Sequence, residues 1–197
     1  MPRATHDITP ADILPLSEWG TLRVAHRKTL SERKKNRRLS VGPYATLYFE
    51  NWDTMWYQVQ EMLWIEKGGD AQLPDELAAY NPMIPNGSEF SATLMFEISD
   101  EAKRAIVLGQ LGGVEDHICI SIDGERIFAV SEADLDRTKS DGKTSSVHFL
   151  HFPFTDAQVS AWRNPATDVM LRIDHPNYGH AALMMGPIRD ELGRDLA

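Results

Sequence analysis

The stretch from Glu89 to Ile98 reads EFSATLMFEI, and it decides the fold. Its even-numbered positions are all apolar, whereas its odd-numbered positions carry glutamate, serine, threonine and methionine. Successive side chains of a β-strand point to opposite faces of the sheet. This period of two therefore predicts a strand with one face in the hydrophobic core.

The flanking sequence repeats this signal on both sides. Further strands are predicted over residues 44–50, 118–122, 126–130, 145–154, 168–174 and 180–185. Asp123-Gly124 separates two of them and is a dipeptide suited to a tight hairpin turn. Helices are predicted from residue 17 into the segment 27–38, and over residues 51–67, 74–80, 100–111 and 156–162. Hairpins mixed with helices predict an α+β fold with a mainly antiparallel, curved sheet and helices packed on its apolar face.

Length and composition describe an ordinary globular protein. The chain has 197 residues, of which 42% are hydrophobic and 25% charged, so intrinsic disorder and a membrane bundle are excluded. We expect a single domain over residues 1–197, with the helical segment 9–38 either inside it or attached as an appendage.

The compartment is predicted from what the sequence lacks. Cys119 is the only cysteine, which excludes an intramolecular disulfide and any multi-cysteine metal site and favours a reducing compartment. Residues 1–15 lack the apolar core of a signal peptide, and the longest apolar run, 181–185, is too short to span a bilayer. We therefore predict a cytoplasmic protein without a membrane partner.

The charge of the chain is distributed unevenly. The formal net charge is -9, yet the segment from Arg27 to Arg38 holds seven basic residues and one acidic residue. This local charge of +6 leaves -15 on the remainder. The cations of the segment bind phosphate or an acidic partner, or they are an exposed helix end neutralised by carboxylates of the same fold or of a second copy. The residues concerned are Arg33, Lys34, Lys35, Arg37 and Arg38. The net negative charge disfavours nucleic acid.

The helix predicted over residues 51–67 carries two polar stripes. At 100° per residue, one stripe comprises Asn51, Thr54, Gln58 and Glu61. The other lies roughly opposite and comprises Asp53, Gln60 and Lys67. We expect the second stripe to face water, which would turn the first stripe inward. Together with Glu50, the first stripe then forms either a structural hydrogen-bond network or a ligand or metal pocket; it could also be exposed.

The histidines offer weaker candidates for a metal site. His148 and His151 are three residues apart on one strand and so face opposite sides. His175 and His180 bracket the predicted turn 176–179, which could place them as cross-strand neighbours within reach of one ion. Imidazoles and carboxylates without a thiolate cluster suit iron, manganese or zinc. No HxH, HExxH or ExxH spacing supports such a site, and the signatures of serine hydrolases, P-loop proteins and dinucleotide-binding folds are also missing.

Several blocks of sequence resemble a known family. They are Tyr48-Phe49-Glu50-Asn51-x-Asp53-Thr54-Met55, Gln58-x-Gln60-Glu61-Met62, Tyr80-Asn81-Pro82-x-Ile84-Pro85, Glu89-x-Ser91-Ala92-Thr93-Leu94, Asp141-x-Lys143-Thr144-Ser145-x-Val147-His148-Phe149 and Asp174-His175-Pro176-x-Tyr178. In order and spacing they resemble the bacterial DUF3501 family, which is functionally uncharacterised. Genes of this family often lie beside rubrerythrin-like and iron-sulfur reductase genes, so the resemblance implies a redox partner.

Three hypotheses follow from these observations. The first is an accessory protein that binds a small ligand or metal ion between the 51–67 helix and the polar sheet face. Its ligands or proton carriers would be Glu50, Glu61, His148 and His175, with His180 as a further metal ligand and Asn51, Gln58 and Thr144 as orienting donors. The second is an enzyme that uses Glu61 and His148 for acid-base chemistry. The third is an interaction module that uses the basic segment 27–38; a homo-oligomer is left open.

Overall fold

Two antiparallel sheets and six α-helices build the fold of residues 6–131 and 144–196, the part of the chain that the computed structural model describes. The α+β class and the mainly antiparallel pairing predicted from the sequence are therefore confirmed. The strands form two sheets instead of one, however, because the chain leaves the first sheet after its third strand and begins a second.

The first sheet, sheet A, has five strands and contains the stretch that decided the fold. Its strands, in spatial order, are β1 (Arg38–Val41), β2 (Ala45–Glu50), β3 (Glu89–Phe96), β7 (Val147–Pro153) and β6 (Val130–Ser131). Leu94 of β3 lies opposite Leu47 of β2 and His148 of β7. Residues directly opposite one another share a face of the sheet, so these three side chains point to the same side.

The second sheet, sheet B, has four strands. In spatial order they are β5 (Glu125–Phe128), β4 (Ile118–Ile122), β8 (Val169–His175) and β9 (Tyr178–Leu183). The hairpin predicted at Asp123-Gly124 is confirmed, and both turn residues have positive φ, as a two-residue hairpin turn of this kind requires. The second hairpin, β8–β9, also turns through two residues, Pro176 and Asn177.

The main hydrophobic core lies between the two sheets. Leu47, Leu94 and Leu150 of sheet A belong to one buried cluster with Ile120 and Leu171 of sheet B. Each sheet therefore buries its apolar face against the other sheet. This arrangement explains the alternation of β3, whose even-numbered residues form its half of the core.

One tyrosine joins the two sheets at their edge. The Tyr178 hydroxyl of β9 donates to the Val41 carbonyl (2.7 Å) and accepts from the backbone N–H groups of Tyr44 and Ala45, each at 3.0 Å. Gly42 in this turn has a φ of 68°, and a Cβ there would lie 2.8 Å from the Tyr178 oxygen. The close approach of the tyrosine therefore requires glycine at this position.

The six helices are α1 (Leu16–Lys34), α2 (Trp52–Glu66), α3 (Leu73–Tyr80), α4 (Glu101–Gly109), α5 (Asp156–Arg163) and α6 (Pro187–Leu192). The second hydrophobic cluster contains Met55, Val59 and Leu63 of α2 and packs against Phe149. Phe149 alternates with His148 and points away from sheet B. Thus α2 covers the outer face of sheet A. The predicted packing of helices on the apolar face is also found, because Trp162 of α5 contacts Phe90 of β3 with ring centroids 4.7 Å apart, and sheet B shares that face.

The N-terminal helix packs on α2. Trp19 of α1 is fully buried, and its ring meets those of Trp56 and Tyr57 edge-on, with centroids 5.4 and 5.5 Å apart. Gly20 lies against the Trp64 ring, where a Cβ would come within 2.7 Å. α1 is thus the outermost layer above α2 and sheet A. No helix in the described ranges is long and apolar enough to cross a membrane.

Candidate functional site

Glu61 lies between α1 and α2. Its Oε1 accepts from Trp19 Nε1 (3.1 Å) and Arg23 Nε (2.6 Å), and its Oε2 accepts from Arg23 Nη2 (2.8 Å). The bidentate Arg23 guanidinium holds the pKa of Glu61 below its ordinary value, and desolvation opposes this shift. The carboxylate is therefore committed to an ion pair that fixes α1 on α2.

His148 lies on the other face of sheet A, between the sheets. Its Nε2 is 3.0 Å from the Ser145 carbonyl oxygen and 3.2 Å from Thr144 Oγ1. Because a carbonyl only accepts, Nε2 carries a proton. Its Nδ1 lies 3.9 Å from Glu115 Oε2. Sheet A thus separates His148 from Glu61, and the pocket and acid-base pair predicted from these two residues are not formed.

The remaining residues of the predicted stripe have local structural roles. Asn51 Oδ1 accepts from the Thr54 N–H (3.0 Å), and Thr54 Oγ1 accepts from the Asn51 N–H (2.9 Å), which caps α2. Gln58 Nε2 lies 3.5 Å from the Tyr80 hydroxyl of α3. Glu50 is buried and accepts from Thr93 Oγ1 (2.9 Å).

The polar stripe expected to face water does so at Lys67 and partly at Asp53, but Gln60 is buried. Gln60 lies four residues from both Trp56 and Trp64, which contact α1, and it is 0% exposed. Neither atom of its amide has a hydrogen-bond partner among the described residues. The prediction was wrong here because α1 covers this sector of α2. Asp53 of the same stripe is half-buried and pairs with Arg33 at 2.5 Å.

The predicted metal ligands are also not brought together. His175 lies opposite Tyr178, and His180 lies opposite Ile173, two residue pairs further along the hairpin. His175 instead meets His117, with ring centroids 5.1 Å apart, and His180 packs on the ring of Tyr178. Among the residues that the structure describes, no group of three histidine, cysteine or acidic side chains could hold an ion. Binding of iron, manganese or zinc stays a prediction without a site.

The basic segment separates into buried and exposed cations. The Arg37 side chain is 2% exposed, and its guanidinium donates to the carbonyls of Phe49 (3.1 Å) and Glu50 (2.9 Å). It also pairs with Asp195 and, at 3.4 Å, with Glu191 near the C-terminus. Desolvation raises the pKa of Asp195, and Arg37 opposes that rise. The prediction of Arg37 as a phosphate ligand is corrected: it is a structural residue.

A groove of about 450 Å³ lies on one flank of α1, and we call it the cationic groove. Four cations line it, together with two tyrosines, one serine and one leucine: Arg27, Lys34, Lys35, Arg38, Tyr48, Tyr57, Ser31 and Leu30. No carboxylate of the described residues belongs to this lining. Sequence reasoning found Lys34, Lys35 and Arg38, but it missed the tyrosines, which come from β2 and α2.

The electrostatics of the groove are dominated by its cations. The C-terminus of α1 contributes a partial charge of about -0.5, which is small beside four positive side chains. Two ion pairs lie near the groove. Arg33, which does not line the groove, binds Asp53, and the lining residue Lys35 lies 2.6 Å from the exposed Glu32. Arg27, Lys34 and Arg38 have no ion-pair partner within the described part of the chain.

A carboxylate affects the pKa of each groove tyrosine. The Tyr48 hydroxyl donates to Glu97 Oε1 (2.9 Å); desolvation and this hydrogen bond raise the pKa of Tyr48. Desolvation is also the main cause that raises the pKa of Tyr57, followed by the negative charge of Glu61. The hydrogen bond to Glu97 holds the Tyr48 ring, the edge-on contact with Trp19 holds the Tyr57 ring, and both hydroxyls stay protonated at neutral pH.

A second groove, of about 580 Å³, lies on the opposite flank of α1. Its lining mixes aromatic rings with both signs of charge, including Trp52, Trp56, Asp53, Glu18 and Arg33. Arg33 and Asp53 neutralise each other across it. The charge of α1 is therefore concentrated on one flank, in the cationic groove.

The family model described as "Protein of unknown function (DUF3501)" matches residues 7–196, so the chain belongs to this family. A similar fold is found in the crystal structure of a protein of unknown function from Burkholderia pseudomallei. The two chains are 34% identical, the TM-score is 0.88, and the match covers 96% of this chain and 99% of the other. No functionally curated protein matches the chain. These relatives establish family and fold.

Proposed function

We propose that this protein binds a small anionic ligand in the cationic groove. The observation that carries the proposal is the convergence of Arg27, Lys34, Lys35 and Arg38 on one groove without a lining carboxylate in the described residues. Cations of like charge repel one another, and an anion between them relieves this repulsion. The groove volume of about 450 Å³ lies in the range of small-molecule sites.

The negative charge of the rest of the chain also favours anion binding in the cationic groove. Outside the segment 27–38 the chain carries -15, so anions are repelled from most of the surface. The groove is the exception, and its guanidinium and ammonium groups are the donors that bind phosphate and carboxylate oxygens in proteins. Ser31 adds a hydroxyl in the same lining.

Stabilisation of the helix end does not account for all four cations. Arg33 and Lys34 lie in the last turn of α1, where positive side chains offset the helix dipole. Arg27 lies seven residues before Lys34, about two turns earlier. The dipole effect fades within the last turn, so the presence of Arg27 in the groove supports ligand binding over a purely structural role.

Calorimetric titration with pyrophosphate, sulfate and citrate at low ionic strength tests this proposal. We expect pyrophosphate to bind, and Lys34→Ala to weaken that binding about tenfold, because one charge-assisted hydrogen bond is lost. Lys28→Ala is the matched control: Lys28 is exposed on the same helix but lines neither groove. Absence of binding by all three anions would contradict the proposal, as would equal losses in the two variants.

A further inference from the structure

We infer that the ligand of the cationic groove is a nucleotide, whose phosphates lie on the cations and whose base stacks on the groove tyrosines. The inference rests on the proposed anion-binding function and adds the class of ligand. Its basis is the composition of the lining, in which cations come from α1 and β1 and aromatic rings come from β2 and α2.

Tyr48 is the principal stacking residue. It lies directly opposite Arg38 in the β1–β2 pairing, so ring and guanidinium stand side by side on the outer face of sheet A. The hydroxyl is anchored by Glu97, and the side chain is half-buried. No other ring packs on Tyr48 among the described residues. A planar ligand therefore meets a fixed aromatic surface next to a phosphate-binding side chain.

Tyr57 forms a second aromatic wall from α2. One side of its ring is occupied by the edge-on contact with Trp19. Trp19, whose Nε1 donates to Glu61, thus positions this ring. Aromatic rings beside a row of cations are the usual arrangement of sites that bind nucleotide units, because the rings take bases and the cations take phosphates.

A single phosphate would leave part of this lining unused. Arg27 and Lys34 start about 10 Å apart along α1, and Lys35 and Arg38 extend the row past the helix end. A nucleoside diphosphate offers two linked phosphates to these cations and one planar base to Tyr48. A carboxylate of similar charge offers no ring, so the tyrosines distinguish the two ligand classes.

Titrations of the full chain with adenosine diphosphate, pyrophosphate and adenosine test the inference. We expect adenosine diphosphate to bind about tenfold more tightly than pyrophosphate, since stacking one base on one ring is worth about that factor. Tyr48→Leu removes the ring and should lower the affinity for adenosine diphosphate about tenfold, so that the ratio of the two affinities falls toward one. Tyr48→Phe keeps the ring and should retain the affinity for adenosine diphosphate within about twofold.

The outcomes separate this inference from the proposed function. Equal affinities of the wild-type protein for pyrophosphate and adenosine diphosphate overturn the nucleotide but leave the anion site intact. Binding of neither overturns both. A short single-stranded oligonucleotide that binds far more tightly than adenosine diphosphate would replace the small ligand with nucleic acid. The wild-type comparisons do not depend on the folding of any variant, and circular dichroism checks the folding of the two Tyr48 variants.

Discussion

Arg37 and Arg38 are neighbours in the chain but have opposite environments. Arg37 is buried and donates to two backbone carbonyls and two C-terminal carboxylates. Arg38 begins β1, is exposed and lines the cationic groove. The difference follows from their positions: Arg37 lies in the bend before β1 with its side chain toward Glu191 and Asp195, whereas Arg38 lies in β1 opposite Tyr48. A run of positive charge can therefore combine structural and binding residues, and only their partners distinguish them.

The largest effect is expected for the loss of Arg37. Arg37→Ala leaves the carboxylate of Asp195 buried without its cation, and we expect it to lower the free energy of unfolding by about 3 kcal/mol or more. Arg38→Ala should change the same quantity by about 0.5 kcal/mol or less, as is usual for exposed side chains. Urea denaturation of both variants measures the contrast. Similar losses in the two variants would refute the distinction between them.

The ion pair between Arg23 of α1 and Glu61 of α2 makes a smaller, pH-dependent contribution to the free energy of unfolding. The folded-state pKa of Glu61 is below its ordinary value of 4.5, so its pairing stabilises the fold above that value. This contribution is lost as the pH falls through the folded-state pKa. Glu61→Gln should therefore destabilise the protein at neutral pH, by about 1 kcal/mol for a partly exposed pair. The difference should shrink toward zero in acid.

Thermal unfolding of wild type and Glu61→Gln between neutral and acidic pH measures this convergence. Glu32→Gln is the control, because Glu32 forms only an exposed pair with Lys35. We expect this control to follow the wild-type curve. A Glu61→Gln variant whose deficit is constant with pH would show that the carboxylate charge is not what Arg23 recognises.

The smallest effect concerns the salt dependence of ligand binding. Exposed charges are screened within about 10 Å at 0.1 M salt, so wild-type affinity for pyrophosphate should fall as salt is added. Arg38→Ala should bind more weakly, with a shallower dependence on salt concentration, because one fewer cation contacts the ligand. Lys28→Ala should keep the wild-type slope. Identical salt dependences of the affinity in all three proteins would show that Arg38 does not contact the ligand.

The sequence predicted the regular parts of this fold well. The alternation over 89–98 and the Asp123-Gly124 turn are local signals, and β3 and the β4–β5 hairpin formed as expected. The strand over 145–154 is apolar on both faces, so its periodicity did not indicate which side His148 would take. The pairing of His148 with Leu94 places the His148 side chain on the face of sheet A that points toward sheet B. That pairing is long-range and depends on the whole sheet.

The candidate site was less predictable for a related reason. A helical wheel gives the sectors of α2 but not the element that covers each of them, and α1 covers the sector of Gln60. The cationic groove joins Arg27, Tyr48 and Tyr57 from three elements. Its cations were visible in the sequence as a charge cluster. The rings beside them became apparent only when β2 and α2 were packed against α1.

The Tyr178 hydroxyl ties the strand that carries Arg38 to the edge of sheet B. β1 is only four residues long, with Arg38 at its start and Val41 at its end, and the Val41 carbonyl accepts a hydrogen bond from the Tyr178 hydroxyl. Because Tyr178 belongs to β9, one short strand carries a groove cation at one end and the junction of the two sheets at the other.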